Sequence, residues 1–201
     1  MKAIQIIRDE HRTLAAVLHG LAYLTRDIRE RGATPDFELF AAMIYYIDAF
    51  PERFHHPKED RYLFALLRQR CPAAAPTLDA LHAEHVEGAR HMRDLEQALI
   101  RYRAVGAAEY APFAAAVEAF TTFQYAHMRR EERDVMPLAE AHLTVGDWEQ
   151  IDEAFLGHTD PLLGEVPGTQ WQRLFSRIVA LAPAPIGVGP ERAVDARATR
   201  P

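Results

Sequence analysis

The chain reads as all-α: an antiparallel four-helix bundle followed by two extra C-terminal helices. Three observations predict this. Apolar residues recur at spacings of three and four over four long stretches. Breaks marked by Gly and Pro separate those stretches. The polar pattern of the first half returns in the second.

The first stripe is Ile4, Ile7, His11, Leu14, Leu18, Leu21 and Ile28, and it ends at a turn marked by Gly32, Thr34 and Pro35. The second runs over 36–70, with Phe37, Phe40, Ile44, Ile47, Phe54, Tyr62, Leu63 and Leu66 on its buried side. Pro51 and Pro57 interrupt it, which predicts a kink or two shorter helices, because an interior proline lacks the N–H and clashes with the preceding turn. Cys71-Pro72 and Pro76 bracket the next break. The third helix spans 77–104 through Leu78, Leu81, His85, Gly88, Met92, Leu95, Leu99 and Tyr102, and Val105-Gly106 ends it. The fourth spans 109–142 with Phe113, Val117, Phe120, Phe123, His127, Val135 and Leu138 inward and Pro137 bending its last turns. A short helix follows over 147–158, with Asp147 as N-cap, and a sixth over 169–182 built on Trp171, Leu174, Phe175, Ile178 and Leu181. From Pro183 the sequence is a Pro-, Gly-, Ala- and Arg-rich tail. The domain division is therefore a bundle over 1–144, a helical extension over 145–182 and a flexible tail over 183–201.

The length of 201 residues suits one domain with an appendage. A net charge of −6 and a pI near 5.9 argue against nucleic acid or anionic lipid as partner. No apolar run suits a signal peptide or a membrane span. Cys71 is the single cysteine, so no intrachain disulfide forms, which fits a reducing cytoplasm.

Two His-x-x-x-Glu pairs, His55/Glu59 and His127/Glu131, each project from one helix face. Each is preceded by a Glu-His: Glu10-His11 lies 44 residues before His55, and Glu84-His85 lies 42 before His127. The halves align around the pairs without a gap, with Asp60 matching Glu132 and Arg61 matching Arg133. His11 and His85 occupy core positions of their stripes. Six buried polar groups on core stripes cost several kcal/mol each when unpaired, and a pair of cations neutralises them. The set divides into two terminal His per metal, with Glu59 and Glu131 as bridges. Coordination positions remain for an oxide, hydroxide or water bridge and for a small ligand. An N/O set favours iron or manganese, and affinity alone also admits zinc or copper.

The other candidates have plainer roles. His56 is a neighbour of the ligands, since the repeat places Met128 opposite it. His82 is divided between a fifth ligand, second-shell support and surface. His19 belongs near a bundle end, and His91, His142 and His158 at the surface. Asp48, seven residues before His55, is placed to accept a hydrogen bond from a ligand imidazole. Tyr45, Tyr46 and Tyr125 are core material or gate the site. No catalytic residue is assigned, and turnover is left open.

At the six positions His11, His55, Glu59, His85, His127 and Glu131 the chain resembles the hemerythrin-like HHE cation-binding family, over roughly 4–142. The resemblance implies a non-haem di-iron centre in a four-helix bundle. It further implies a small ligand such as O2, NO or peroxide, in carriage, sensing, scavenging or stress response. Iron handling or iron-centre repair is the alternative it offers. A metal-dependent interaction module, with a protein partner at 147–182, is a third reading. The oxygen carriers of that family have a His-x-x-x-His pair on the third helix, and here position 81 is Leu81 and the nearest histidine is His82. That departure argues against simple reversible O2 carriage.

Overall fold

The computed structural model describes residues 1–157, and every regular element among them is helical. Helix α1 spans Lys2–Arg31 and stops at Gly32, whose φ of 64° is a left-handed cap that glycine adopts without steric cost. The next rod begins as α2 (Phe37–Ile47), capped by Asp36, whose side chain accepts from the Leu39 N–H. It continues through a π-helical turn π1 (Asp48–His55), α3 (His56–Lys58), a second such turn π2 (Glu59–Phe64) and α4 (Ala65–Arg70). A 3-10 turn leads into α5 (Ala75–Val105). After Gly106, α6 (Tyr110–Arg130), π3 (Glu131–Val135) and α7 (Met136–His142) form the fourth rod. Helix α8 (Val145–Leu156) packs across the bundle end. The predicted helix over 169–182, the tail from Pro183 and His158 lie outside the described residues.

Four rods joined by short turns return on one another, so neighbours run antiparallel. Helix α1 packs on α2 and α6, and α5 packs on α2 and α6, which closes the square. Tyr110 and Tyr125 lock α6 to α1 by donating their hydroxyls to the carbonyls of Thr25 and Ala15. Tyr125 is thus a structural tie, Tyr46 is core, and Tyr45 is exposed.

The expected kink in the second rod is instead a pair of π-helical turns. The His56 N–H bonds the carbonyl of Pro51, five residues back. That wider turn sits just ahead of Pro57, whose ring would collide with a carbonyl four residues back in a regular α-helix. Pro137 follows π3 in the same way, and the Met136 N–H bonds the Glu131 carbonyl. The turns π2 and π3 begin at Glu59 and Glu131, so the irregularity falls at matching positions in the two halves. Phe54, expected inward, is exposed at 37% because π1 turns it out.

The core is split in two. One apolar cluster holds Leu14, Leu18, Leu21, Phe40, Met43, Tyr46, Phe113 and Phe120. The other holds Ile4, Ile7, Leu63, Leu81, Val135, Trp148, Ile151 and Phe155. Along α1 the boundary falls between Ile7 and Leu14, where Glu10 and His11 are buried. Helix α8 belongs to the second cluster through Trp148, Ile151 and Phe155, so this part of the extension completes the bundle core.

Asp147 is not the N-cap of α8. Thr144 is, and it exchanges hydrogen bonds with Asp147 at the third helical position. Asp147 is buried and also accepts both arms of Arg70, at 2.8 and 3.0 Å. The hydrogen bond from Arg70, followed by those from Thr144, holds its carboxyl well below the ordinary 3.8.

Replacing Thr144 with Ala should lower stability by about 1 kcal/mol in chemical unfolding, the usual cost of losing such a cap. Asp147→Asn should also lower the melting temperature. Its carboxyl is depressed in the fold, so its contribution is complete above the unfolded value of 3.8 and fades as pH falls through the lower folded value. The gap between wild type and Asp147→Asn should therefore be constant near neutrality and close in strong acid. A gap that stays constant to the lowest pH would exclude this origin.

Candidate metal centre

All six predicted residues converge on the polar layer between the two cores. His11 comes from α1, His55 from π1, Glu59 from π2, His85 from α5, His127 from α6 and Glu131 from π3. None is more than 8% exposed.

The imidazoles point their Nε2 atoms inward in two pairs. His11 and His55 Nε2 are 3.3 Å apart, and His85 and His127 Nε2 are 3.1 Å apart. The two carboxylates lie between the pairs. Glu59 Oε1 is 3.2 Å from His55 Nε2, and its Oε2 is 3.6 Å from His85 Nε2. Glu131 is turned to match, with Oε2 3.3 Å from His11 Nε2 and Oε1 3.3 Å from His127 Nε2. Each carboxylate thus gives one oxygen to each His pair. All four of these oxygens are buried, and their only close polar neighbours are the inward Nε2 atoms, none in good hydrogen-bond alignment. Buried carboxyl oxygens without well-aligned donors are costly, and cations at the two His pairs would satisfy all four. The residues present fit a two-metal group.

Behind each imidazole stands an acid. Nδ1 of His11 meets Glu132 at 2.9 Å, and that of His55 meets Glu10 at 2.5 Å. Nδ1 of His127 meets Glu84 at 2.9 Å, while that of His85 lies 3.1 Å from Asp60 as an ion-pair contact out of hydrogen-bond alignment. An N–H donated from Nδ1 fixes the tautomer that leaves Nε2 free as a donor atom to metal. Every one of these acids adjoins a predicted ligand in sequence: Glu10 and Glu84 precede His11 and His85, while Asp60 and Glu132 follow Glu59 and Glu131. Arg130 in turn pairs with Glu84.

The same contacts shift the side-chain pKa values within the layer. Burial pulls the His11 pKa down, but hydrogen bonds to Glu131 and Glu132 outweigh it and hold it at about 9. His85 stands at about 10, burial again being outweighed, here by Asp60 and Glu131. His55 and His127 are also raised against burial, chiefly by the charges of Glu59 and Glu131 respectively. Burial would raise Glu131, yet the neighbouring imidazoles, His127 foremost, hold it well below its ordinary range.

The structure corrects two subsidiary expectations, for Asp48 and for His56. Asp48 pairs with Arg53 at 2.5 Å, and the acids behind the imidazoles are the four just named. His82 agrees with a surface or supporting role: its side chain is largely exposed and meets Asp60 at 3.0 Å, behind His85. His56 is a member of the layer. It is buried, and one of its ring nitrogens lies with donor atoms of Glu59, His85 and His127 in a group spanning no more than 4.8 Å. Glu52 belongs to the layer too, 3.6 Å from His56 Nδ1 and accepting from Gln124 at 3.1 Å. Burial raises the Glu52 pKa, and burial with the charge of His85 pushes His56 well down. The repeat could have exposed this pair, since Glu52 aligns with Gln124 and His56 with Met128. His19 is exposed, and His91 rests against Phe123.

On the other side, Leu14, Phe50 and Pro51 meet Glu10, His11 and His55 around a cavity of 10 Å³. That is about the room one water-sized molecule needs. Phe155 of α8 stands edge-on to His55, with ring centres 6.2 Å apart, and Lys58 lies over its ring at 5.3 Å. Helix α8 therefore closes the layer from the bundle end. Among the described residues no helix is long and apolar enough to cross a membrane.

Neither curated proteins nor solved structures give a match to this chain. The family model of the hemerythrin HHE cation binding domain matches residues 2–139, most of the chain and all six convergent residues. The chain belongs to the hemerythrin HHE cation-binding domain family.

Proposed function

We propose that this protein holds a non-haem di-iron centre that binds or reacts with a small diatomic or peroxide ligand. The observation that carries the reading is the set of four buried oxygens of Glu59 and Glu131 that lack an aligned hydrogen bond, enclosed by four inward Nε2 atoms. In this assignment His11 and His55 would hold one ion and His85 and His127 the other, with Glu59 and Glu131 each able to offer an oxygen to either. The N/O donor set suits iron and also admits manganese or zinc. Iron bound there would supply redox change and open coordination positions.

The chain's own residues do the rest. Glu10, Asp60, Glu84 and Glu132 orient the imidazoles, and the two apolar clusters exclude bulk water from the layer. The small apolar-walled cavity beside His11 and His55 has room for a water-sized molecule next to that His pair, which supports a small ligand there. Near-complete burial of all six donors supports a retained metal over one handed on to a recipient.

Protein loaded anaerobically with Fe(II) should retain about two ions per chain. With both sites at metal about 100-fold above the dissociation constant the midpoint should rise about 10–20 °C. Glu131→Ala and Glu59→Ala should lose both ions on desalting, and His11→Ala mainly one. An unchanged wild-type midpoint with no retained iron contradicts the reading. Mixing reduced protein with O2, NO or peroxide in stopped flow should give new ligand charge-transfer bands. No spectral change with any of the three leaves a metal site without the proposed reactivity. Glu84→Gln should keep the fold but weaken uptake at the His127 position about 10–100-fold, as loss of an orienting partner does. Unchanged affinity in a calorimetric titration would make Glu84 only a partner of Arg130.

A further inference from the structure

The repeat builds two matching half-sites but is broken at one pair of positions. Glu52 and His56 stand in the first half where Gln124 and Met128 stand in the second. All four side chains are in or beside the polar layer. Glu52 and Gln124 face each other across it and share a 3.1 Å hydrogen bond. Met128 is buried and offers only a weak thioether.

His56 offers much more. Its ring stacks on His85 at 4.4 Å between centres and 14° between planes, and it stands edge-on to His127 at 5.4 Å. Its Nδ1 is buried without a hydrogen-bond partner, with Glu52 Oε2 at 3.6 Å. This arrangement parallels the other four imidazoles, each of which has an acid on its Nδ1 side. A ring nitrogen of His56 falls within the same 4.8 Å group as donor atoms of Glu59, His85 and His127. The corresponding group on the other side is His11, His55 and Glu59.

We infer that His56 is a fifth imidazole donor, serving the metal held by His85 and His127, and that it makes the two metal positions chemically inequivalent. The inference rests on the two-metal reading above. Glu52 is then the positioning residue of His56, held in place by Gln124. The cavity beside His11 and His55 lies at the position that His56 does not serve.

The repeat itself supplies the test, which is His56→Met, the residue the second half carries. Full-length wild type and His56→Met are loaded anaerobically with iron-57 as Fe(II), assayed for iron per chain and examined by Mössbauer spectroscopy. The wild type should show two quadrupole doublets of equal area. In His56→Met the doublets should converge, or uptake at one position should fall by at least about 10-fold, a lower bound set by losses of mere orienting partners. Two irons with unaltered doublets in the variant overturn the role of His56 while leaving the two-metal reading standing. Wild type that takes up fewer than two irons overturns both. If the variant does not fold, nitrogen-15 imidazole spectra of wild type with and without Zn(II) decide. A metal-coordination shift at a His56 ring nitrogen supports the proposal, and an unmoved His56 signal contradicts it.

Discussion

Two carboxyl groups lie in the middle of this bundle with only imidazole nitrogens beside them, and the rest of the structure is arranged around that constraint. Glu59 and Glu131 are 1% and 2% exposed. Taking a carboxylate charge from water costs several kcal/mol unless opposite charge and full hydrogen bonding replace the solvent. The raised pKa values of His11 and His85 show that the layer favours positive charge beside these carboxyl groups. The apolar clusters on either side make the constraint strict. They leave the carboxylates no route to water and leave the bundle little freedom to relax around them.

A second ring of acids converts a charged pocket into an oriented one. Four imidazoles meet four carboxylates at Nδ1, and two of these contacts cross between the halves: His11 to Glu132 and His85 to Asp60. The other two stay within a half: His55 to Glu10 and His127 to Glu84. Each half therefore supplies acids both to itself and to the other, so neither half-site is complete alone. Helix α8 adds the end wall, fastened by the Arg70–Asp147 pair and by Asp152, which accepts the Ala3 N–H at 2.7 Å.

Much of this was legible in the sequence because helical periodicity and ligand spacing report the same geometry. His11 and His85 stood out as polar residues at apolar stripe positions, and both are buried in the layer. The acids were visible as Glu-His and Glu-Asp or Glu-Glu neighbours within the repeat, but their role depends on which helix they face, and spacing on one helix does not carry that. Asp48 looked suitable by turn counting from His55. The π-helical turn between them holds more residues than an α-turn, so the count missed the face. His56 was set aside because its repeat mate is Met128, an argument from symmetry at the place where the symmetry is broken. Asp147 was read one turn early, since a capping box puts the acid three residues inside the cap. The site's donor chemistry narrows the metal, while the choice of iron and of its small ligand depends on reactivity that side-chain types do not encode.

The central claim is that Glu59 and Glu131 bridge two metal ions between the His11/His55 and His85/His127 pairs. Anomalous diffraction at the iron edge, from crystals of anaerobically loaded protein, tests it most directly. The account predicts two peaks, one at each His pair, with an oxygen of each carboxylate directed at each peak. A single peak, or none between the two glutamates, would contradict it.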